Sequence, residues 1–176
     1  MSKARIATVW LDGCSGCHMS VLDMDERLLE VAQKADLVYS PLVDAKIFPE
    51  GVDVTFVEGA VASEEDLSKI RKIRARTRVL VALGDCAVTG NVPAMRNPFG
   101  VDAVLDCAYR HLTEASEPPS EVVPKLLARV RPVHEAVHVD LAIPGCPPTA
   151  DVIHHVVTEL LAGRTPDLSE MTRFGA

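Results

Sequence analysis

Aromatic side chains are scarce, with one Trp, two Tyr and four Phe in 176 residues. That leaves few rings for stacking on bases. Acidic residues outnumber basic ones by 25 to 18, giving a formal charge of −7, so no nucleic-acid surface is expected. Long apolar runs are missing as well. Stretches such as Val79 to Leu83 and Val139 to Ile143 fall far short of the roughly 20 residues that cross a bilayer, and no membrane span is expected. The opening MSKARIATVWLDG holds no apolar segment leading to a small-residue cleavage site, which predicts a cytoplasmic location. No Walker loop, G-x-G-x-x-G or G-x-S-x-G occurs.

What remains is a chain of single-domain length with 48% hydrophobic residues, enough for a core. Short apolar runs read as buried strands at Ile6 to Leu11, from Val38, at Val52 to Val57, at Arg78 to Leu83 and at Val137 to Ile143. Between them lie amphipathic stretches. Val21, Met24, Leu28, Val31 and Ala35 mark one helix or two abutting ones. Ser63 with Glu64, Glu65 and Asp66 caps a second helix, whose far end, Lys69 to Arg78, is basic and suits the helix dipole. Val101, Val104, Leu105, Ala108 and Leu112 form another stripe, a short helix is expected over Glu121 to Val130, and Thr149 caps a last helix that Gly163 and Pro166 stop. Strands alternating with helices predict an α/β fold, a flavodoxin-like open parallel sheet with helices on both faces. One domain is expected over residues 1–166, with a C-terminal tail at 167–176.

The chemistry lies in five cysteines, which in a cytoplasmic chain point to ligands, thiols or packing rather than to a disulfide framework. Cys14 and Cys17 follow the first strand, Cys86 follows the strand ending at Leu83, and Cys146 follows the strand ending at Ile143. The carboxyl ends of parallel strands share one edge of the sheet, so these four thiols can converge. Four sulfurs suit tetrahedral zinc or an iron-sulfur cluster. The surroundings favour iron: Gly13, Gly16 and Gly145 let backbone amides approach bridging sulfides, and Pro147 follows Cys146 as in ferredoxin ligand runs. One 4Fe-4S centre uses four cysteines and leaves only Cys107, expected to be a small buried hydrophobe in a helix. Around the centre, Gly13, Gly16, Glu58, Thr89 and Pro147 are the candidate cofactor-binding neighbours, Glu58 because it ends a buried strand beside the proposed site.

Competing readings use fewer of these residues. Cys14-Ser15-Gly16-Cys17-His18 fits covalent haem attachment with His18 as axial ligand, and it fits a thiol-disulfide oxidoreductase with a strand, C-x-x-C and then a helix. Both leave Cys86 and Cys146 without a role. A zinc-stabilised interaction module would use all four thiols and be redox-silent.

LDGCSGCHMSVLDMDERLL, FVEGAVASEED, GDCAVTGNVPAMRN and IPGCPPTADVI, in that order between residues 11 and 153, resemble the small subunits of nickel-iron hydrogenases, most closely those of the cytoplasmic NAD-reducing enzymes. The resemblance implies that Cys14, Cys17, Cys86 and Cys146 hold the proximal 4Fe-4S cluster. It implies a large subunit carrying the nickel-iron centre and a diaphorase module carrying FMN, iron-sulfur clusters and NAD, with no turnover from this chain alone. The related complex I subunit has adjacent cysteines, whereas two residues separate Cys14 from Cys17 here. No cysteine follows Cys146, which points to the short NAD-linked type rather than to relatives with further clusters in a C-terminal extension. Asp85 departs from the small residue expected before the third cysteine, and its charge would disfavour an added electron.

Overall fold

The computed structural model describes residues 3–113 and 117–172. Strand β1 (Ala4–Trp10) leads into helices α1 (Gly16–Leu22) and α2 (Arg27–Lys34), then β2 (Ala35–Tyr39) and β3 (Val52–Glu58). A short β4 (Val61–Ser63), α3 (Glu64–Ala75), β5 (Thr77–Leu83), α4 (Asp85–Thr89), α5 (Asn91–Ala94) and α6 (Val101–Leu105) follow. After them come β6 (Leu126–Arg131), β7 (Leu141–Ile143) and α7 (Ala150–Leu161).

Five strands form one parallel sheet in the order β2-β1-β3-β5-β7. Counted within that sheet, this is the flavodoxin-like order. Side chains alternate across it. Leu80 and Ala82 of β5 pack with Ile70 and Ile73 of α3, while Val81 and Leu83 pack on the other face with Val152, Ile153 and Val156 of α7. Both faces are therefore covered, as the near-continuous apolar strands require. Ser63 caps α3 through a capping box with Asp66, and Thr149 caps α7 by accepting from the Val152 N–H. Helix α3 ends at Ala75, which leaves Arg78 on β5. Leu168, in the expected tail, packs against the α7-side core.

Three expectations need correction. The segment expected as a helix over Glu121 to Val130 is extended at Leu126–Arg131, where it pairs antiparallel with β4. Cross-strand pairing with a three-residue partner far back in the chain overrides its local pattern. The last strand is shorter than the apolar run: only Leu141–Ile143 joins the sheet, and just before it the Asp140 carboxylate, rather than a strand carbonyl, accepts the Leu80 N–H at 2.7 Å. Cys107 is exposed, not buried, because α6 continues into a wider-turned segment, Asp106–His111, that lies at the periphery.

Candidate metal centre

The loop after β1 is held beside the loop after β3. Leu11 N–H donates to Glu58, and Asp12 and Ala60 exchange backbone bonds of 3.1 and 2.7 Å. The approach is close enough that a Cβ on Gly13 would stand 3.1 Å from the Gly59 Cα and 3.7 Å from Glu58 Oε1. Ser15 then takes a left-handed conformation (φ 66°) that turns the chain into α1. Cys14 is left exposed before the turn and Cys17 is buried in the first turn of the helix. The Gly16 N–H points at Cys14 Sγ at 3.4 Å.

The next two thiols come from neighbouring strands. Gly84 N–H donates to Ile143, Asp85 N–H donates to the Gly145 carbonyl at 2.8 Å, and Gly145 N–H donates back to Asp85 Oδ1 at 2.7 Å. These bonds join the turn carrying Cys86 to the turn carrying Cys146. Gly84 also joins them to the N-terminal pair, because a Cβ there would fall 2.3 Å from Cys17 Sγ. Its φ of 82° excludes an ordinary L side chain independently.

Electrostatics report the same convergence. Burial pushes the Cys17 thiol well up, and Glu58, Cys86, Cys14 and Cys146 each push it further. The Cys86 thiol is raised by burial, then by Cys146 and Cys14; the Val92 N–H works the other way, and Glu58 adds a smaller upward push. The raised Cys17 and Cys86 thiols resist ionisation in this setting, and positive charge among the sulfurs, which a metal centre supplies, would favour their thiolates. Among the described residues no three His, Cys, Asp or Glu are gathered as a single-ion site. Donor type, absent side chains at Gly13, Gly16 and Gly84, and mutual proximity fit a sulfur-ligated centre.

The remaining candidates divide. Glu58 is buried and Oε2 accepts from the His18 backbone N–H at 3.0 Å and from the His18 ring at Nδ1. Thr89 sits on α4 with its hydroxyl donating to the Asp85 carbonyl at 2.8 Å, and Pro147 is exposed directly after Cys146. His18 is not free to bind an axial metal, since its Nε2 lies 3.0 Å from Thr8 Oγ1, which in turn bonds Ser40 Oγ at 2.8 Å. This buried chain escaped sequence reading, because a His after C-x-x-C looks like a ligand. Also unforeseen is Asn91, whose side-chain N–H donates to Cys146 Sγ at 3.5 Å.

The family described as NADH ubiquinone oxidoreductase, 20 Kd subunit, matches residues 14–160 of the chain. Among relatives, the NAD-reducing hydrogenase HoxS subunit delta of Cupriavidus necator is 42% identical over 98% of this chain and 86% of its own length. A subunit of the F420-non-reducing hydrogenase of Methanothermobacter marburgensis is 41% identical over 94% of this chain, which spans 56% of that protein. Among solved structures, a chain of an NAD+-reducing [NiFe]-hydrogenase in the H2-reduced state superposes with a TM-score of 0.93 at 43% identity, covering 98% of this chain and 99% of that one. The [NiFeSe] hydrogenase of Desulfovibrio vulgaris Hildenborough, at 18% identity and a TM-score of 0.62, shares the fold.

Proposed function

Because the chain belongs to the family of the 20 kDa subunit of NADH ubiquinone oxidoreductase and is similar throughout to a subunit of an NAD-reducing hydrogenase, we propose that it relays electrons within an NAD(P)-linked nickel-iron hydrogenase through one 4Fe-4S cluster held by Cys14, Cys17, Cys86 and Cys146. It is a small hydrogenase subunit by its relatives. The single observation that carries the ligand set is the meeting of three remote segments at Gly84, where Cys17 Sγ fills the space a side chain would take.

When bound, such a cluster takes up and releases one electron at a time. The chain's own residues do the rest. The four cysteines fix position, the Asp85 and Gly145 bonds keep two of them in register, and burial of Cys17 and Glu58 keeps water from one side of the site. Electrons would pass between the nickel-iron centre of a large subunit and a diaphorase module carrying FMN and NAD. No helix among the described residues is long and apolar enough to cross a membrane, and a cytoplasmic location belongs to the same proposal. Met19, Met95 and Phe99, exposed on the segments that carry or adjoin the thiols, are offered as the contact face for the large subunit.

Anaerobic purification of the complex followed by iron and sulfide analysis and electron paramagnetic resonance tests this. The expected content in this chain is about four iron and four sulfide, the complement of one cluster. It should be lost in Cys17→Ala and retained in Cys107→Ala. An iron-free chain within an intact complex would overturn the proposal.

A further inference from the structure

The short antiparallel pair β4 and β6 lies outside the main sheet and carries no thiol. Besides the Ser63 cap of α3, it holds the segment that follows α4. Arg96 Nη2 donates to the Ala62 carbonyl of β4 at 3.1 Å and to the Leu127 carbonyl of β6 at 2.8 Å. Asn97 makes a two-way bond with Val130 of β6: its Nδ2 donates to the carbonyl at 3.0 Å, and its Oδ1 accepts from the N–H at 2.8 Å. Ala94 packs onto Ala60, Ala62 and Val130. The far end of the loop is thus fixed from both strands of the ribbon.

At its near end stands Asn91, with φ of 32°, following Gly90 at φ 86°. Its backbone lies in the left-handed region, which Asn tolerates better than most residues. The side chain donates to Cys146 Sγ. A side-chain N–H on a cluster sulfur stabilises the negative charge that arrives with an electron, so it raises the reduction potential. The effect depends on the amide keeping its place, and a single rotatable side chain on an unanchored loop would not.

We infer that Asn91 sets the potential of the centre through its bond to Cys146, and that Arg96 and Asn97 act as positioning residues for Asn91 by clamping the loop to the β4–β6 ribbon. The inference rests on Cys146 being a cluster ligand, as proposed above. It assigns the ribbon a purpose: a fixed support, independent of the main sheet, for one hydrogen bond to one ligand sulfur.

The test is a redox titration of the hydrogenase complex monitored by electron paramagnetic resonance, comparing the parent with Asn91→Gly, Asn97→Ala and the double variant. Gly accepts the positive φ, so Asn91→Gly deletes the donor without straining the backbone. The midpoint should fall in Asn91→Gly and fall by less in Asn97→Ala. The double variant should be no lower than Asn91→Gly alone, because positioning has no effect once the donor is gone. An exchangeable-proton hyperfine coupling should be lost with Asn91. Should Asn91→Gly fail to assemble, Asn91→Ala, which removes the donor without adding charge, carries the same expectation. An unchanged midpoint with the cluster signal intact overturns the inference, as does full additivity in the double variant. A parent complex with no such signal in this chain instead defeats the ligand assignment on which the inference rests.

Discussion

His18 and Glu58 close on each other twice, through the His18 backbone N–H and through its ring at Nδ1, and both are buried. The residue after the second cysteine is thereby committed to a carboxylate at the end of β3, forty positions along the chain. This pair fastens the first turn of α1, and Cys17 with it, to the centre of the sheet. Nε2 continues the chain to Thr8 and Ser40.

Removing Glu58 strands two buried donors. Glu58→Ala should lower stability by about 3 kcal/mol, whereas Thr8→Val, which removes one outer link, should lower it by about 1 kcal/mol. Anaerobic thermal melting of the purified complex reports the difference, and equal shifts would show that the carboxylate does not anchor the helix.

Gly84 is the closest approach between the N-terminal pair and the other two thiols. Gly84→Ala should displace Cys17 and force a positive φ on a side chain, a destabilisation of about 2–4 kcal/mol from the backbone and steric contributions together. Iron content after anaerobic reconstitution should drop with it. A fully loaded variant would mean that Cys17 Sγ is not held over this position.

Asp85→Asn keeps an oxygen for the Gly145 N–H and removes a negative charge next to Cys86. The midpoint of the centre should rise, opposite in sign to the change expected from losing the Asn91 donor. Redox titration measures it, and an unchanged or lower value would count against a role for the Asp85 charge in setting the potential.

Phe99 and Met95 are 71% and 67% exposed, too open to contribute to the core of this chain. Phe99→Ser and Met95→Ser should leave its melting unchanged while weakening capture of the large subunit, by about 2 kcal/mol, or roughly 30-fold in Kd, for an anchor residue. Undiminished capture by both variants would place the partner elsewhere.

Asp140 links β5 to the segment before β7. Partial burial raises its carboxyl, but the Leu80 N–H, the Arg74 guanidinium at 2.5 Å and His138 outweigh that and hold it below its ordinary value of 3.8. A carboxyl depressed in the folded state contributes stability above its unfolded pKa and loses it as pH falls through the lower folded value. Asp140→Asn should therefore destabilise by about 1 kcal/mol at neutral pH. The gap from the parent should close below pH 3.8. A gap that persists in acid would show that charge is not the cause.

Much of this arrangement was legible from residue order. In a parallel sheet a thiol just past a strand has only one edge to occupy, so Cys14, Cys17, Cys86 and Cys146 could be brought together without coordinates. Ser63 and Thr149 were readable because capping is local. The ribbon was not, since the pairing of β6 with Val61–Ser63 is a long-range choice that no window of sequence contains. Asn91 stayed hidden for the same reason: its importance comes from where Arg96 and Asn97 are tied, and those ties go to backbone carbonyls that carry no sequence signature.

The reciprocal bonds between Asp85 and Gly145 have a bearing on how natural variants of this chain should be compared. Two stretches sixty residues apart behave there as a single mechanical unit, so a change in one alters the setting of the other. Substitutions near Cys86 and near Cys146 are accordingly best scored as pairs, and a lesion in either stretch can be offset by a compensating change in its counterpart.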